Sequence, residues 1–238
     1  MIQTYDDLAA VSRAAAELFA ARAAAAVRDR GRFSVALAGG NTPRKTYELL
    51  AQPPLCNSVP WADVHVLWGD ERCVPRDDPR SNYRMAREAL LERVPLPAAQ
   101  IHPMRGVGDP NRAAEEYERE LRQYFADGNP RFDLVLLGMG DNAHTASLFP
   151  GLPLLEERTR WVAAVFIAEL QMHRLTLTAP AINQAAAVAF LVAGADKAQP
   201  LAEVLHGPRD PRRLPAQLIQ PVDGELLWLV DRAAAAQL

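Results

Sequence analysis

His144 is the side chain of this sequence whose type and setting best suit acid–base chemistry. It stands in the segment GMGDNAHT, residues 138–145, which follows a short apolar run. Imidazole changes protonation near neutral pH, so it can take a proton from water and return it to a leaving oxygen. A lone loop histidine is more often structural, but the glycines here and the run TASLFP that follows favour a catalytic role. We therefore expect His144 to be a general base.

The surroundings of His144 argue against a serine nucleophile and against a metal centre. Ser147 lies three residues further on, but no Gly-x-Ser-x-Gly elbow surrounds it. The other histidines form no i, i+4 pair and no cluster with cysteine, as a zinc site would need. We expect direct attack by water, with loop N–H groups around Gly138 and Gly140 receiving the oxyanion.

A second motif, Gly39-Gly40-Asn41-Thr42-Pro43, has the composition of an anion-binding loop. Glycines allow close approach to the backbone, and we expect Thr42 to cap a helix with Pro43 in its first turn. The free N–H groups at such a helix start bind phosphate. Taken alone, the motif fits a plain strand-to-helix turn equally well. It has neither the Lys-Ser/Thr ending of a P-loop nor a dinucleotide fingerprint, which disfavours ATP and NAD.

Two cationic side chains follow other apolar runs and are candidates for the same anion. Arg72 offers a bidentate fork, and Lys197 offers a point charge suited to phosphate. The alternatives are a surface ion pair of Arg72 with Asp70 or Glu71 and a solvated Lys197. Asp70 and Glu71 either orient Arg72 or take part in proton transfer.

These motifs are placed by an alternation of short apolar runs with longer periodic segments. Strands are predicted at 33–38, 64–68, 132–137, 162–167, 175–178, 188–192 and 226–230. Helices are predicted at 5–30, capped by Thr4, and at 43–51, 81–93, 111–126 and 195–205, with a C-terminal turn at 231–237. Ser81, Asn82 and Asn183 are either cap and turn residues or contacts for sugar hydroxyls.

Strands that alternate with helices indicate a mostly parallel, doubly wound, Rossmann-like α/β sheet with helices on both faces. Only a short link separates 162–167 from 175–178, so the prediction admits an antiparallel hairpin there. The polar motifs each follow a strand, and ligands bind at the carboxyl edge of a parallel sheet. We therefore expect the motifs to meet at that edge, in a single catalytic domain over residues 1–238.

Composition and charge bound the classes of partner. A net charge of −3, from 26 basic and 29 acidic residues, gives no field for nucleic acid or an anionic membrane. Charged residues interrupt the alanine-rich start, and no stretch approaches the ~20 apolar residues of a membrane span. Two isolated cysteines fit a reducing compartment. We expect a cytoplasmic protein, a monomer or small homo-oligomer.

Four sequence runs, in this order, are typical of one family. They are GGNTP at 39–43, DERxVP at 70–75 with SNY at 81–83, GMGxxxHTASLFPG at 138–151 and DKA at 196–198. They resemble the glucosamine-6-phosphate isomerase/6-phosphogluconolactonase family, and its lactonases in particular. The resemblance implies the fold of glucosamine-6-phosphate deaminase, no cofactor, and hydrolysis of 6-phospho-D-glucono-1,5-lactone in the oxidative pentose phosphate pathway. It also implies that residues 39–42, Arg72 and Lys197 bind the substrate phosphate and that His144 is the base.

One departure from the family pattern concerns the neighbours of His144. The family usually has Asp-Gly immediately before this histidine, where the sequence has Asn142 and Ala143. A carboxylate that would orient the imidazole is thereby lost. Asp141 is the candidate to replace it, while Asn142 stays a candidate for substrate contact.

Two rival functions have distinct sequence requirements. A glucosamine-6-phosphate deaminase would be expected to resemble the sequences that contain the run GHIAFNEP. This chain has Leu148 and Phe149 where that run continues towards its glutamate. A non-catalytic sugar-phosphate sensor would need an output surface, and no basic helix-turn-helix segment precedes Ala38. Both are therefore disfavoured relative to the lactonase.

Overall fold

The computed structural model describes residues 1–126 and 128–238 and is built around a six-stranded parallel sheet with the order β1-β9-β8-β5-β2-β3. The strands are β1 (Ile2–Tyr5), β2 (Phe33–Leu37), β3 (Val64–Trp68), β4 (Asp70–Arg72), β5 (Leu134–Leu137), β6 (Val162–Ile167), β7 (Met172–Leu177), β8 (Ala187–Val192) and β9 (Glu225–Asp231). Every residue of β2, β5 and β8 is buried, as a parallel sheet covered on both faces requires. The predicted parallel α/β fold is confirmed.

Five of the described helices agree with the predicted segments, with shifted ends, whereas the two shortest were not predicted. The helices are α1 (Leu8–Arg30), α2 (Asn41–Leu50), α3 (Leu55–Ser58), α4 (Asn82–Ala86), α5 (Pro110–Tyr124), α6 (Ala179–Ile182) and α7 (Ala198–His206). α4 continues into a π-helical stretch, Arg87–Leu91. α1 packs on α2 and on the central strands, whereas α5 packs on β6 and β7.

The start of α1 differs from the sequence-based expectation. Its cap is Asp7, whose Oδ1 accepts a hydrogen bond from the Ala10 N–H at 2.8 Å. Thr4, the predicted cap, lies in β1, which pairs in parallel with β9 at the edge of the sheet. Asp7 caps the helix because the backbone of Thr4 is paired in the sheet. Gly31, at φ 73°, ends the helix as expected.

A second, three-stranded antiparallel sheet joins β4, β7 and β6 in that order. β6 and β7 form the antiparallel hairpin that the short link admitted, with Gln171 at φ 47° in its turn. β4 pairs with β7 so that Arg72 lies opposite Arg174. The hairpin thus brings a distant part of the chain to the residues that follow β3.

Two buried tyrosines tie strand ends to helices near the carboxyl edge. The hydroxyl of Tyr47 accepts from the Ala38 N–H and donates to the Ala38 carbonyl, at 3.0 and 2.9 Å. The hydroxyl of Tyr117 accepts from the Trp68 N–H at 3.0 Å. β2 lies between β3 and β5, so the strand order reverses at β2, and the segments that follow β2 and β5 flank this switch point.

Candidate active site

A cavity of about 410 Å³ opens at the carboxyl edge of the large sheet, beside the switch point. It gathers residues from five separate parts of the chain. Its lining includes Ala38, Gly39, Gly40, Asn41, Thr42, Asp70, Arg72, Asn82, Gly138, Met139, Gly140, His144, Ala146, Arg174, Asp196 and Lys197. The expected convergence of the polar motifs at one edge therefore occurs in the structure.

The first wall of the cavity is the glycine loop and the start of α2. The N-cap position is Gly40, at φ 102°, a conformation that side chains rarely adopt, and the helix begins at Asn41. The expectation that Thr42 caps this helix is wrong, because Thr42 already lies inside its first turn. Gly39 is required for a different reason, since a Cβ there would lie 2.0 Å from Oδ1 of Asn82. The N-terminal end of α2 thus faces the cavity without intervening side chains from the glycines.

Two arginines form the cationic wall. The register of β4 and β7 places Arg72 and Arg174 opposite each other, and both line the cavity. Nη1 of Arg72 donates to the Arg80 carbonyl at 2.6 Å, and Nη1 of Arg174 lies 3.5 Å from Oδ2 of Asp70. Within the described residues, the buried Nε of each guanidinium has no hydrogen-bond partner. Such donors favour an anionic ligand.

The third cationic group, Lys197, comes from the turn that follows β8. Its Nζ lies 2.9 Å from Oδ2 of Asp196, an exposed carboxylate. The turn begins at Gly194, φ 107°, and its N–H donates to both carboxylate oxygens of the buried Asp231 at the end of β9. Because β8 and β9 are neighbours, Asp231 sets the course of the backbone that carries Lys197.

The two carboxylates after β3 have different partners. Asp70 accepts from the Ser147 hydroxyl at 2.7 Å and from the Asn82 amide at 3.0 Å, and it faces Arg174. Glu71 accepts from the Ser81 hydroxyl and from the backbone N–H groups of Arg72, Asn82 and Tyr83. Glu71 therefore fixes the start of α4, while Asp70 braces the loop that contains Ser147 against the cationic wall.

His144 lies in a tight turn beside the cavity. The Gly140 N–H donates to the His144 carbonyl at 2.9 Å, so this N–H is not available for the oxyanion role expected of it. A Cβ on Gly140 would lie 2.1 Å from Nδ1 of His144, so the imidazole occupies space that only glycine leaves open. The ring stacks on Phe149 at a centroid distance of 4.0 Å, and its Nδ1 lies 2.6 Å from Oδ1 of Asn142.

The electrostatic setting of His144 favours the neutral imidazole. Burial lowers its pKa from 6.5 to about 4, and Arg174 and Lys197 act in the same direction. Asp70 and Asp141 oppose this shift, but the loss of hydration dominates. At neutral pH the side chain is therefore an unprotonated base.

Several predicted and unpredicted residues complete the description. Asp141 and Asn142 lie outside the cavity and line a neighbouring one of about 550 Å³, with Asp196 shared between the two. Asn183 bonds the backbone at Leu218 and Gln220 and is structural. Arg174 was missed by sequence reasoning, because it lies just before the predicted strand 175–178, in the observed strand β7.

No group of three His, Cys, Asp or Glu side chains is arranged to hold a metal ion within residues 1–126 and 128–238. In the described part of the chain, no helix has the length and apolar character to cross a membrane.

The α/β sheet, with a cavity at its carboxyl edge that combines a cationic wall and a neutral imidazole, is typical of α/β enzymes that act on anionic substrates. A sequence model described as glucosamine-6-phosphate isomerases/6-phosphogluconolactonase matches residues 6–228. The chain belongs to this family. It is 47% identical over 217 residues to a 6-phosphogluconolactonase of Synechocystis sp., covering 90% of this chain and 88% of that protein.

Solved structures agree with this assignment. The 6-phosphogluconolactonase from Trypanosoma brucei superposes with a TM-score of 0.88 at 30% identity, covering 100% of this chain and 98% of that one. A monomeric glucosamine-6-phosphate deaminase superposes with a TM-score of 0.85 at 20% identity, covering 100% and 99%. The second likeness concerns the fold alone, and it confirms the fold that the sequence resemblance implied.

Proposed function

We propose that this enzyme hydrolyses 6-phospho-D-glucono-1,5-lactone to 6-phosphogluconate, a step of the oxidative pentose phosphate pathway, without a cofactor. The observation that carries the proposal is one cavity that combines an anion-binding wall with a neutral imidazole. The family relatives named 6-phosphogluconolactonase support the choice of substrate. A phosphorylated lactone fits because it has an anion at one end and an ester at the other.

The proposed binding mode assigns the phosphate to the cationic wall and the glycine loop. Arg72, Arg174 and Lys197 supply charge, and the α2 N-terminus supplies N–H groups together with Gly39 and Gly40. When the phosphate binds Lys197, the carboxylate of Asp196 loses its contact with Lys197 and is hydrated instead, since it is already exposed to solvent. Anchoring the phosphate places the lactone carbonyl near His144 and converts hydrolysis into a reaction of preoriented groups.

The proposed chemistry uses His144 as the base for a water molecule. The imidazole takes a proton from water, and the resulting hydroxide attacks the lactone carbonyl carbon. The tetrahedral oxyanion forms beside His144, where Arg174 and Lys197 contribute a positive field that favours its charge. When the intermediate collapses, the bond from the carbonyl carbon to the ring oxygen breaks, and His144 returns the proton to that oxygen. The product acid then ionises.

The low pKa of His144 does not prevent this role. A bound phosphate dianion brings negative charge into the cavity and raises the pKa of His144 in the complex relative to the free enzyme. The acid limb of kcat/KM reports the free enzyme and the acid limb of kcat reports the complex. We therefore expect the kcat limb at the higher pH.

The direct test compares His144→Ala with the wild type on the phosphorylated lactone. We expect kcat to fall roughly 10²–10⁴-fold, the range typical of a lost general base, while binding of 6-phosphogluconate changes little. His206→Ala, an exposed histidine near the end of α7, is the matched control and should keep wild-type kcat. Wild-type turnover in His144→Ala would remove the base assignment.

The substrate assignment is tested separately with gluconolactone that lacks the phosphate. Loss of the charged anchor should lower kcat/KM by at least about 100-fold, since charge-assisted hydrogen bonds contribute roughly 1.5–3 kcal/mol each. Equal rates on both lactones would contradict the phosphate site. Glucosamine 6-phosphate should release no ammonia; its release would instead favour the deaminase.

A further inference from the structure

The amide of Asn142 meets His144 at two points. Its Oδ1 accepts from the His144 backbone N–H at 3.1 Å and lies 2.6 Å from Nδ1 of the imidazole. A backbone N–H only donates, so the amide atom facing it must be the oxygen. An amide oxygen only accepts, so Nδ1 must carry the ring proton. The second nitrogen, Nε2, is then the basic one.

We propose that Asn142 is a positioning residue that holds His144 in the Nδ1–H tautomer and leaves Nε2 as the base, an inference that rests on the proposed function. Asn142 stands behind the imidazole, outside the cavity that His144 lines. It therefore serves the reaction through His144, and the expectation that it contacts substrate is replaced by this role. Phe149 on the ring face and Gly140 beside the ring leave the imidazole one orientation.

An amide at position 142 has a consequence that a carboxylate would not have. Both groups accept the Nδ1 proton, but a carboxylate also stabilises the imidazolium. The charged groups that face the ring are Asp70 and Asp141, which favour the imidazolium, and Arg174 and Lys197, which oppose it. Arg72 lines the same cavity. Because the amide adds no charge, His144 stays neutral down to a lower pH than it would with a carboxylate at position 142.

The test uses two nearly isosteric substitutions, Asn142→Asp and Asn142→Leu, and two independent measurements. Long-range ¹H–¹⁵N spectra of histidine report the tautomer and the pKa of His144 without any turnover. The pH profile of kcat/KM on the phosphorylated lactone reports the same group during catalysis.

Three results are expected. The wild type shows the Nδ1–H tautomer. Asn142→Asp keeps that tautomer, raises the pKa of His144 by roughly 1–3 units, and moves the acid limb of kcat/KM upward by the same amount. Asn142→Leu mixes the tautomers and lowers kcat by up to about 100-fold with KM little changed, as expected for a misplaced base.

A matched control is Asn111→Asp, an amide-to-carboxylate change at an exposed position in the first turn of α5, which should change neither measurement. A wild-type tautomer and wild-type kcat in Asn142→Leu would overturn the inference, as would an unchanged titration of His144 in Asn142→Asp. Failure of the proposed function has a different signature: wild-type enzyme that does not open the lactone, while the tautomer and its dependence on Asn142 stay as described.

Discussion

At the scale of single residues, Arg174 is the cation whose neighbours leave most of its donors for a ligand. Its side chain is 10% exposed, its guanidinium lies over the Phe149 ring at 5.6 Å from the ring centroid, and its Nη1 lies 3.5 Å from Oδ2 of Asp70. We expect Arg174→Met to raise KM for the phosphorylated lactone roughly 10- to 100-fold, because a charge-assisted phosphate contact of about 1.5–3 kcal/mol is lost. Steady-state kinetics measure this change.

The matched control is Arg112→Gln, which removes an exposed arginine paired with Glu116 on α5. Its KM should stay at the wild-type value, since exposed ion pairs contribute little. Equal KM values for Arg174→Met and the wild type, in a folded variant, would show that the phosphate does not reach this side of the cavity.

The two arginines of the cationic wall also show what residue types and spacing predict. Arg72 was predicted because it directly follows a recognisable strand, and parallel strands end at one edge. Arg174 was not, because it enters the cavity through the pairing of β4 with β7, residues about 100 positions apart whose register no local pattern encodes. The positioning role that we propose for Asn142 was missed because the resemblance directed attention to the lost carboxylate and to Asp141.

At the scale of elements, the β6–β7 hairpin carries Arg174 and contains a strained turn. Gln171 adopts φ 47° and is exposed, and a left-handed conformation costs a non-glycine residue roughly 1–2 kcal/mol. Gln171→Gly should therefore raise the free energy of unfolding by up to about 1 kcal/mol, once the greater freedom of glycine in the unfolded chain is subtracted. Urea titration measures the gain.

KM for the lactone is the companion measurement for this hairpin change. It should not move, because Gln171 is exposed and outside the cavity lining, and the register of β6 with β7 is kept. A less stable variant would mean that the Gln171 side chain, which donates to the Ala168 carbonyl at 2.8 Å, contributes more than the strain costs.

Short strands set the limit of element prediction in this chain. The buried strands were recognised because each is a continuous apolar run bounded by turn residues, and the longer helices because their apolar residues recur at helical spacing. β4 is three residues long and charged, and β1 is short, largely exposed and adjacent to α1, so neither has a usable period. Each of these strands forms because its backbone pairs with a neighbouring strand, β4 with β7 and β1 with β9.

At the scale of the whole molecule, one continuous core joins the two sheets. Buried side chains from β2, β5 and β8 belong to the same cluster as Leu175 and Leu177 of the hairpin. We propose on this ground that residues 1–238 form one domain that unfolds in a single cooperative transition.

The stability of that domain should fall as the pH is lowered from about 7 towards 5. Burial lowers the pKa of His144 to about 4, and it also lowers the pKa of His65. Between the pKa of such a histidine in the folded protein and 6.5, its pKa in the unfolded chain, the unfolded chain binds a proton that the folded protein does not. The contribution of the histidine to the free energy of unfolding is therefore full above pH 6.5 and decreases as the pH falls. His144 alone accounts for about 2 kcal/mol between pH 7.5 and 5.

Urea unfolding at a series of pH values measures this loss, and the window above pH 5 separates histidines from ordinary carboxylates, which titrate lower. Burial raises the pKa of the Glu71 carboxyl, so this group adds a pH dependence of opposite sign that is common to the wild type and to both histidine variants. His144→Gln should remove much of the slope because a neutral amide replaces the buried imidazole, whereas the exposed His206→Gln should leave the slope intact. A wild-type slope in His144→Gln would mean that the imidazole of His144 is hydrated in solution and that burial does not lower its pKa in the folded protein.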